Sequence, residues 1–324
     1  MFEFITRRSV GRAQGGTARF TLPPVVYEIA PGFVAGVRLV GARRGPRKVE
    51  AVALEAIKAQ TLEPHLSHAN IADSEDFKRA TANLISIVGN GGGRFGLLLP
   101  DGAVRAAILS FESLPEDAEE AEALIRWRMK DKLPYNADEA RTTFQVLDQA
   151  PGHLEILAIA MRNAVIAEYE SAFAGLNGAA VLVLPATVAL LPLLPETEAR
   201  GQLLMHVCGN WLTAVGVMGG RPCVWRTREL DPRDAANYAR EIASEAVRVL
   251  ASAQDRLQAD LDRAWLCVRP PGEKEFAAEL ARALRHEVEL MRPPLELGSL
   301  LSADERSILE QFGATVAGLV ANLA

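Results

Sequence analysis

The chain has 324 residues, of which 49% are hydrophobic, 23% charged and 6% aromatic, with a formal net charge of −6. That length predicts two domains with substantial cores, and the composition excludes global disorder and an integral membrane protein. Residues 1–48 carry nine Lys/Arg against Glu3 and Glu28, leaving an acidic body at −13, which excludes a general nucleic-acid binder, since phosphate contacts need clustered Lys/Arg.

Residues 1–22 read as a basic leader without the apolar core of a secretory signal. Its Arg7, Arg8, Arg12 and Arg19 are of the kind that an anionic leaflet attracts. Strand signals follow at Val25–Ala30, Phe33–Val40 and Val49–Ile57. A helix is predicted over Ser74–Val88, with Ser74 as its N-cap and Phe77, Ala80, Leu84, Ile87 and Val88 on one face. Gly91-Gly92-Gly93-Arg94-Phe95-Gly96 satisfies G-x-G-x-x-G by letter, but it follows a helix and precedes a strand, the reverse of the dinucleotide-binding order, and reads as a loop. A strand over GLLLPDGAVRAAILSFESLP leads into a helix with Glu116, Asp117, Glu119 and Glu120 at its start. Arg126, Arg128, Lys130 and Lys132 lie at its end, as the helix dipole favours, and Pro134 stops it.

Ser171–Pro195 is 25 residues without a charge, long enough to span a bilayer. Asn177, Gly178, Pro185, Pro192 and Pro195 interrupt it, so it is read as a buried strand over Ala179–Leu184 and a short buried helix over Thr187–Leu194. A second run of strands covers Leu203–Cys208, Leu212–Met218 and Pro222–Thr227, with Gly219-Gly220 as the hairpin turn. A long amphipathic helix through Tyr238, Ile242, Ala246, Val249, Ala253 and Leu257 then precedes a buried strand at Ala264–Val268. Both halves thus follow one plan: three strands, a helix, a strand.

Chemistry-bearing clusters are sparse. Cys208, Cys223 and Cys267 are odd in number and set among apolar neighbours, as reduced thiols of a cytoplasmic core would be. His65 and His68 are spaced i, i+3 with no third ligand and read as a surface loop, so no metal site is expected. His206 lies on an apolar strand and reads as a core histidine with its hydrogen bonds satisfied. No Gly-x-Ser-x-Gly elbow or Cys-x-x-Cys pair occurs.

Over 95–195 the sequence resembles the PilM family of type IV pilus assembly proteins, relatives of the FtsA cell-division proteins. The matching features, in family order, are Leu99-Pro100-Asp101, Leu114-Pro115, Trp127 through Lys132, Leu133-Pro134-Tyr135 and Phe144-Gln145-Val146-Leu147. They continue as Ala160, Arg162 and Val165, Gly175-Leu176, and Pro185 through Leu190. The resemblance implies an α/β, actin-like fold: a ribonuclease H-like duplicated β-β-β-α-β unit in two domains, with a small inserted α+β subdomain. The expected division is a leader at 1–22, a first domain at 23–94 and 166–200, the subdomain at 95–165, a second domain at 201–304 and a closing helix at 305–324 that packs on the first domain.

In such a fold two glycine-containing hairpin loops cradle phosphates beside a carboxylate that orients Mg²⁺. The first loop of the family reads Asp-x-Gly-Ser/Thr-Ser; here it is Glu28-Ile29-Ala30-Pro31-Gly32, in which Pro31 offers no N–H. The second should again read Asp-x-Gly and here is His206-Val207-Cys208-Gly209-Asn210. Where the family has a late Gly-Gly pair, this chain has Arg269-Pro270-Pro271-Gly272. Glu28, Gly32, Gly209 and Asn210 are therefore expected as vestigial phosphate-loop residues, with no catalytic residue and no cofactor; Mg-ATP binding is the alternative.

By this resemblance the chain is a cytoplasmic scaffold at the inner face of the bacterial inner membrane. A groove between the subdomain and the first domain would receive the N-terminal peptide of a PilN-type inner-membrane protein, lined by Trp127, Leu133, Pro134 and Tyr135. Two other readings remain: an active actin-like ATPase or kinase with Glu28 in place of the aspartate, and the cytoplasmic part of a GspL-type secretion protein, which would continue into a transmembrane helix. The chain instead reads QFGATVAGLVANLA at its end, like the closing helix of the actin-like fold.

Overall fold

The computed structural model describes residues 22–41, 47–89, 91–173, 178–195, 201–230, 235–257, 261–269 and 273–321. Residues 1–21 of the expected leader, the Gly175-Leu176 turn and Pro270-Pro271-Gly272 lie outside the described residues, while Leu22, placed in the leader from sequence, is buried in the core of the first half. In chain order the elements are β1 (Val25–Ala30), β2 (Phe33–Val40), β3 (Lys48–Ala56), α1 (Ser74–Val88), β4 (Arg94–Leu99), β5 (Arg105–Phe111), α2 (Ala118–Met129), β6 (Ala140–Ala150) and β7 (His153–Arg162). They continue with α3 (Asn163–Ser171), β8 (Ala179–Pro185), α4 (Ala186–Leu190), β9 (Gly201–Cys208), β10 (Trp211–Met218), β11 (Arg221–Glu229) and α5 (Ala235–Leu257). The last are β12 (Leu261–Arg269), α6 (Glu273–Leu284), β13 (Val288–Leu290), α7 (Ala303–Phe312) and α8 (Ala314–Ala321).

Two five-stranded sheets share one topology: β3-β2-β1-β4-β8 in the first half and β11-β10-β9-β12-β13 in the second. In each, two antiparallel hairpin pairs lead to a central strand that then pairs in parallel with the next strand of its half. The expected duplication is therefore present, the first half closing with the expected strand at β8, while the second half goes one step further than expected, with helix α6 and a fifth strand, β13. Helix α1 forms where Phe77, Ala80, Leu84 and Val88 bury one stripe. Its N-cap is Asp73 and not Ser74: the Asp73 carboxylate accepts from Asp76 N, and Ser74 is already helical.

The strand expected through GLLLPDGAVRAAILS breaks in two. Pro100 supplies no N–H for a ladder, Asp101–Ala103 make a single 3-10 turn, and β4 and β5 end in different sheets. Residues 95–99, assigned to the subdomain from sequence, thus belong to a central strand of the first sheet, paired in parallel with β1 and β8. The subdomain is the three-stranded sheet β5-β7-β6 with α2 on one face. Asp117 caps α2 through Glu119 N and Glu120 N, and Arg126 and Arg128 lie in its last turn, as the dipole pattern predicts.

The uncharged run 171–195 covers the end of α3, β8, α4 and a 3-10 turn. Among the described residues no helix is long and apolar enough to cross a membrane. Leu190, Leu191 and Leu194 instead pack with Leu204, Val215, Val217 and Cys267 of the second half, so the run fills the space between the halves. The closing helix expected over 305–324 is two helices, α7 and α8, separated at Gly313. Arg269 takes up the carbonyls of Gln311 and Phe312, which a continuous helix would bond to its own next turn.

Candidate functional site

The two hairpin turns expected to be phosphate loops meet where the halves face each other. The Pro31-Gly32 turn joins β1 to β2, and the Gly209-Asn210 turn joins β9 to β10. Gly209 has φ 58°, and a Cβ there would lie 3.0 Å from both Cβ and Cγ of Pro31, so one turn rests directly on the other. Asn210 turns away, its amide donating to Glu229 Oε1 at 2.7 Å and its carbonyl accepting from Leu230 N. Glu28 and Gly209 are brought to one place, then, while Asn210 serves its own domain.

Glu28 is buried, with 2% exposure. Its Oε2 accepts from the Thr315 hydroxyl at 2.5 Å and its Oε1 from Arg269 Nε at 3.4 Å. Arg269 is equally buried and donates through Nη1 to Gln311 O at 2.9 Å and through Nη2 to Phe312 O at 3.0 Å. Cys208 lies between these groups. Burial pushes its thiol well above the ordinary cysteine value, and the Glu28 and Asp101 carboxylates add to the effect, so this thiol is held protonated and unreactive.

A second polar cluster lies alongside, and sequence reasoning missed it as a site. The Asp101 carboxylate accepts from Thr187 N at 3.2 Å and from the Thr187 hydroxyl at 2.5 Å. His206 Nδ1 stands 2.9 Å from Asp101 Oδ2 and 2.8 Å from Thr187 Oγ1. The satisfied histidine expected here is satisfied at Nδ1, while buried Nε2 has no partner among the described residues. Acid, hydroxyl and imidazole make a catalytic-looking set, but both partners crowd onto Nδ1 and all three side chains are buried, so no substrate reaches them. What the set does is join the first half, through Asp101 and Thr187, to the second, through His206. Trp211 closes the same seam, its indole packed so tightly on Gly102 that a Cβ there would lie 2.3–2.6 Å from the ring.

The residues expected to line the partner groove occupy two places. Trp127 is 66% exposed on α2, over a shallow concavity shared with Phe111, Leu124 and His153. Leu133 and Tyr135 are half-buried against the subdomain core, and Pro134 is exposed. The Arg162 guanidinium lies 5.9 Å from the Tyr135 ring centre and reaches the Ser67 carbonyl in the first half and Glu139 in the subdomain. Burial pushes the Tyr135 hydroxyl up to about 12, and that hydroxyl and Arg105 Nε are buried donors with no hydrogen-bond partner among the described residues.

The loop across from Tyr135 carries the two histidines in a compact form. The rings of His65 and His68 stack at 4.2 Å, and His65 Nδ1 accepts from Ser67 N and His68 N. Asn70 ties the loop to itself through the carbonyls of His65 and His68, and Glu168 takes the backbone N–H groups of Asn70 and Ile71. Among the described residues no group of three or more His, Cys, Asp or Glu could hold a metal ion.

No protein-family profile matches the chain, and no curated protein sequence does. Solved structures do. A chain of the PilM-PilN type IV pilus biogenesis complex superposes with TM-score 0.77 and 17% identity, over 94% of this chain and 99% of that one. A Bacteroides thetaiotaomicron protein with an actin-like ATPase fold and unknown function follows at TM-score 0.50 and 8% identity, over 82% and 90%. The cytoplasmic domain of EpsL, an inner membrane component of the Vibrio cholerae type II secretion system, gives 0.45 at 10% identity, over 76% and 83%, a score that decides nothing between the two systems. The chain has the actin-like fold, in the form it takes in the PilM-PilN complex.

Proposed function

We propose that the chain is a PilM-like scaffold of type IV pilus assembly, working at the cytoplasmic face of the bacterial inner membrane. In this reading the seam between the subdomain and the first domain takes an extended N-terminal peptide of a PilN-type inner-membrane protein. The observation that carries it is the superposition over 94% of this chain and 99% of the pilus-complex chain, small subdomain included. The Leu133-Pro134-Tyr135 and Phe144–Leu147 motifs of the pilus family fall in that subdomain.

Of the proposed lining, Tyr135 stands beside the seam where Arg162 reaches Ser67, and its half-buried ring offers an apolar contact next to which an extended peptide can lie. Trp127 and Pro134 complete the set as exposed apolar contacts. The nucleotide site is degenerate in this reading. Pro31 fills the approach to Gly209, and the Glu28 carboxylate, which would serve a metal-bound phosphate, is committed to Arg269 and Thr315.

Calorimetric titration with the N-terminal peptide of the PilN-like protein from the same genome tests the proposal. Binding at tens of micromolar or tighter, unchanged by added Mg-ATP and weakened by Tyr135→Ala, is expected. No binding in that range rejects the groove.

A further inference from the structure

At the joint between the halves the Arg269 side chain reaches both the first half and the α7–α8 junction. It ends β12 in the second half, donates to Glu28 on β1 of the first, and holds the last two carbonyls of α7. Its guanidinium carbon lies 5.8 Å from the Phe312 ring centre, and Phe312 packs in turn on Phe33 of β2 at 4.7 Å. The other oxygen of Glu28 goes to Thr315, at the start of α8. Ala30, Phe33, Ala35, Cys208 and Phe312 close an apolar cluster around these groups, which keeps water from the ion pair.

We infer that Arg269 is a built-in ligand of Glu28 that clasps the two halves shut, so that the closed form of this chain needs no nucleotide. A group that contacts both halves at once favours the arrangement in which they meet, and here an arginine of the chain makes those contacts from within. A buried carboxylate cannot give up its charged partner without a large penalty. The clasp therefore opens only together with the α7–α8 junction, whose break at Gly313 leaves the Gln311 and Phe312 carbonyls for the guanidinium. This inference concerns the joint alone and stands or falls apart from the peptide groove.

The test compares the full chain with Arg269→Met and with Arg269→Met/Glu28→Met, by thermal unfolding with and without Mg-ATP and by amide hydrogen exchange. Mg-ATP is expected to leave the Tm of the native chain unchanged. Arg269→Met should lower Tm by about 5 °C or more and speed exchange by about tenfold or more at residues 206–211 and 311–316, with β7 of the subdomain remaining as slow as in the native chain. The double variant should regain part of the Tm, since no carboxylate is left uncompensated, but keep the fast exchange at the joint. A Tm rise of the native chain with Mg-ATP, or native exchange at the joint in Arg269→Met, overturns the proposal. Should Arg269→Met fail to fold, the double variant decides: slow, native exchange at 206–211 and 311–316 overturns it, and fast exchange there upholds it.

Discussion

A single added methyl group probes the seam between the halves. In Gly102→Ala the new Cβ would fall within 2.6 Å of Trp211 ring atoms, and Trp211 is held at the start of β10 by its pairing with β9. Ring and turn must separate, and overpacking of this kind destabilises by about 1–3 kcal/mol. A lower urea midpoint is expected. Adding Trp211→Leu should recover part of the loss, and an unchanged midpoint in Gly102→Ala would show that the ring yields freely. The residues of this seam were unevenly legible. Glu28 and Gly209 fall where the resemblance expects phosphate loops, so their positions could be named from sequence. Arg269 and Glu28 are 241 positions apart, and no local pattern links them. The one available signal was substitutional: an arginine stands where the family has its late glycine pair.

Between elements, α5 and β11 are joined by a carboxylate that three arginines share. Glu245 on α5 is almost fully buried and accepts from Arg226 and Arg228 on β11 and from Arg248 one turn along its own helix. Burial acts to raise its carboxyl, but the hydrogen bonds and charges of the arginines outweigh burial and hold it below the ordinary glutamate value. A carboxylate with a lowered folded pKa stabilises the fold above its unfolded value of about 4.3 and loses that contribution as pH falls through the folded one. The urea midpoint of the native chain should therefore fall below about pH 4.3 more steeply than that of Glu245→Gln. Equal slopes would remove Glu245 from the acid response. Strands β1 and β2 were legible as short apolar runs, buried on both faces, and α1 as a helix from its buried stripe, although Ile87, expected on that stripe, is exposed. What stayed hidden depends on tertiary partners. Strand β13 is three residues long and exists by pairing with β12. The break between α7 and α8 answers to Arg269, which comes from another element.

At the scale of the whole molecule, the inserted subdomain is less separate than an insertion in the chain implies. Its sheet is buried on both faces. Ile156, Ala158 and Ala160 of β7 pack with Phe144, Ile125 and Met129 in the subdomain's own core. Leu157, Ile159 and Met161 of the same strand point the other way, into the core that holds Tyr27, Phe95 and Tyr169 of the first half. The alternation of one strand thus serves two cores, and neither can lose it alone. On that ground the subdomain and the first domain form one cooperative unit, and Met161→Ala should destabilise both together by about 2–5 kcal/mol. Native-state hydrogen exchange checks this: the β7 amides and the β1 amides should reach the same limiting opening free energy, and both limits should fall by the same amount in the variant. If the β7 limit falls while the β1 limit stays, the subdomain opens by itself, and its seam with the first domain is a docking contact between two units.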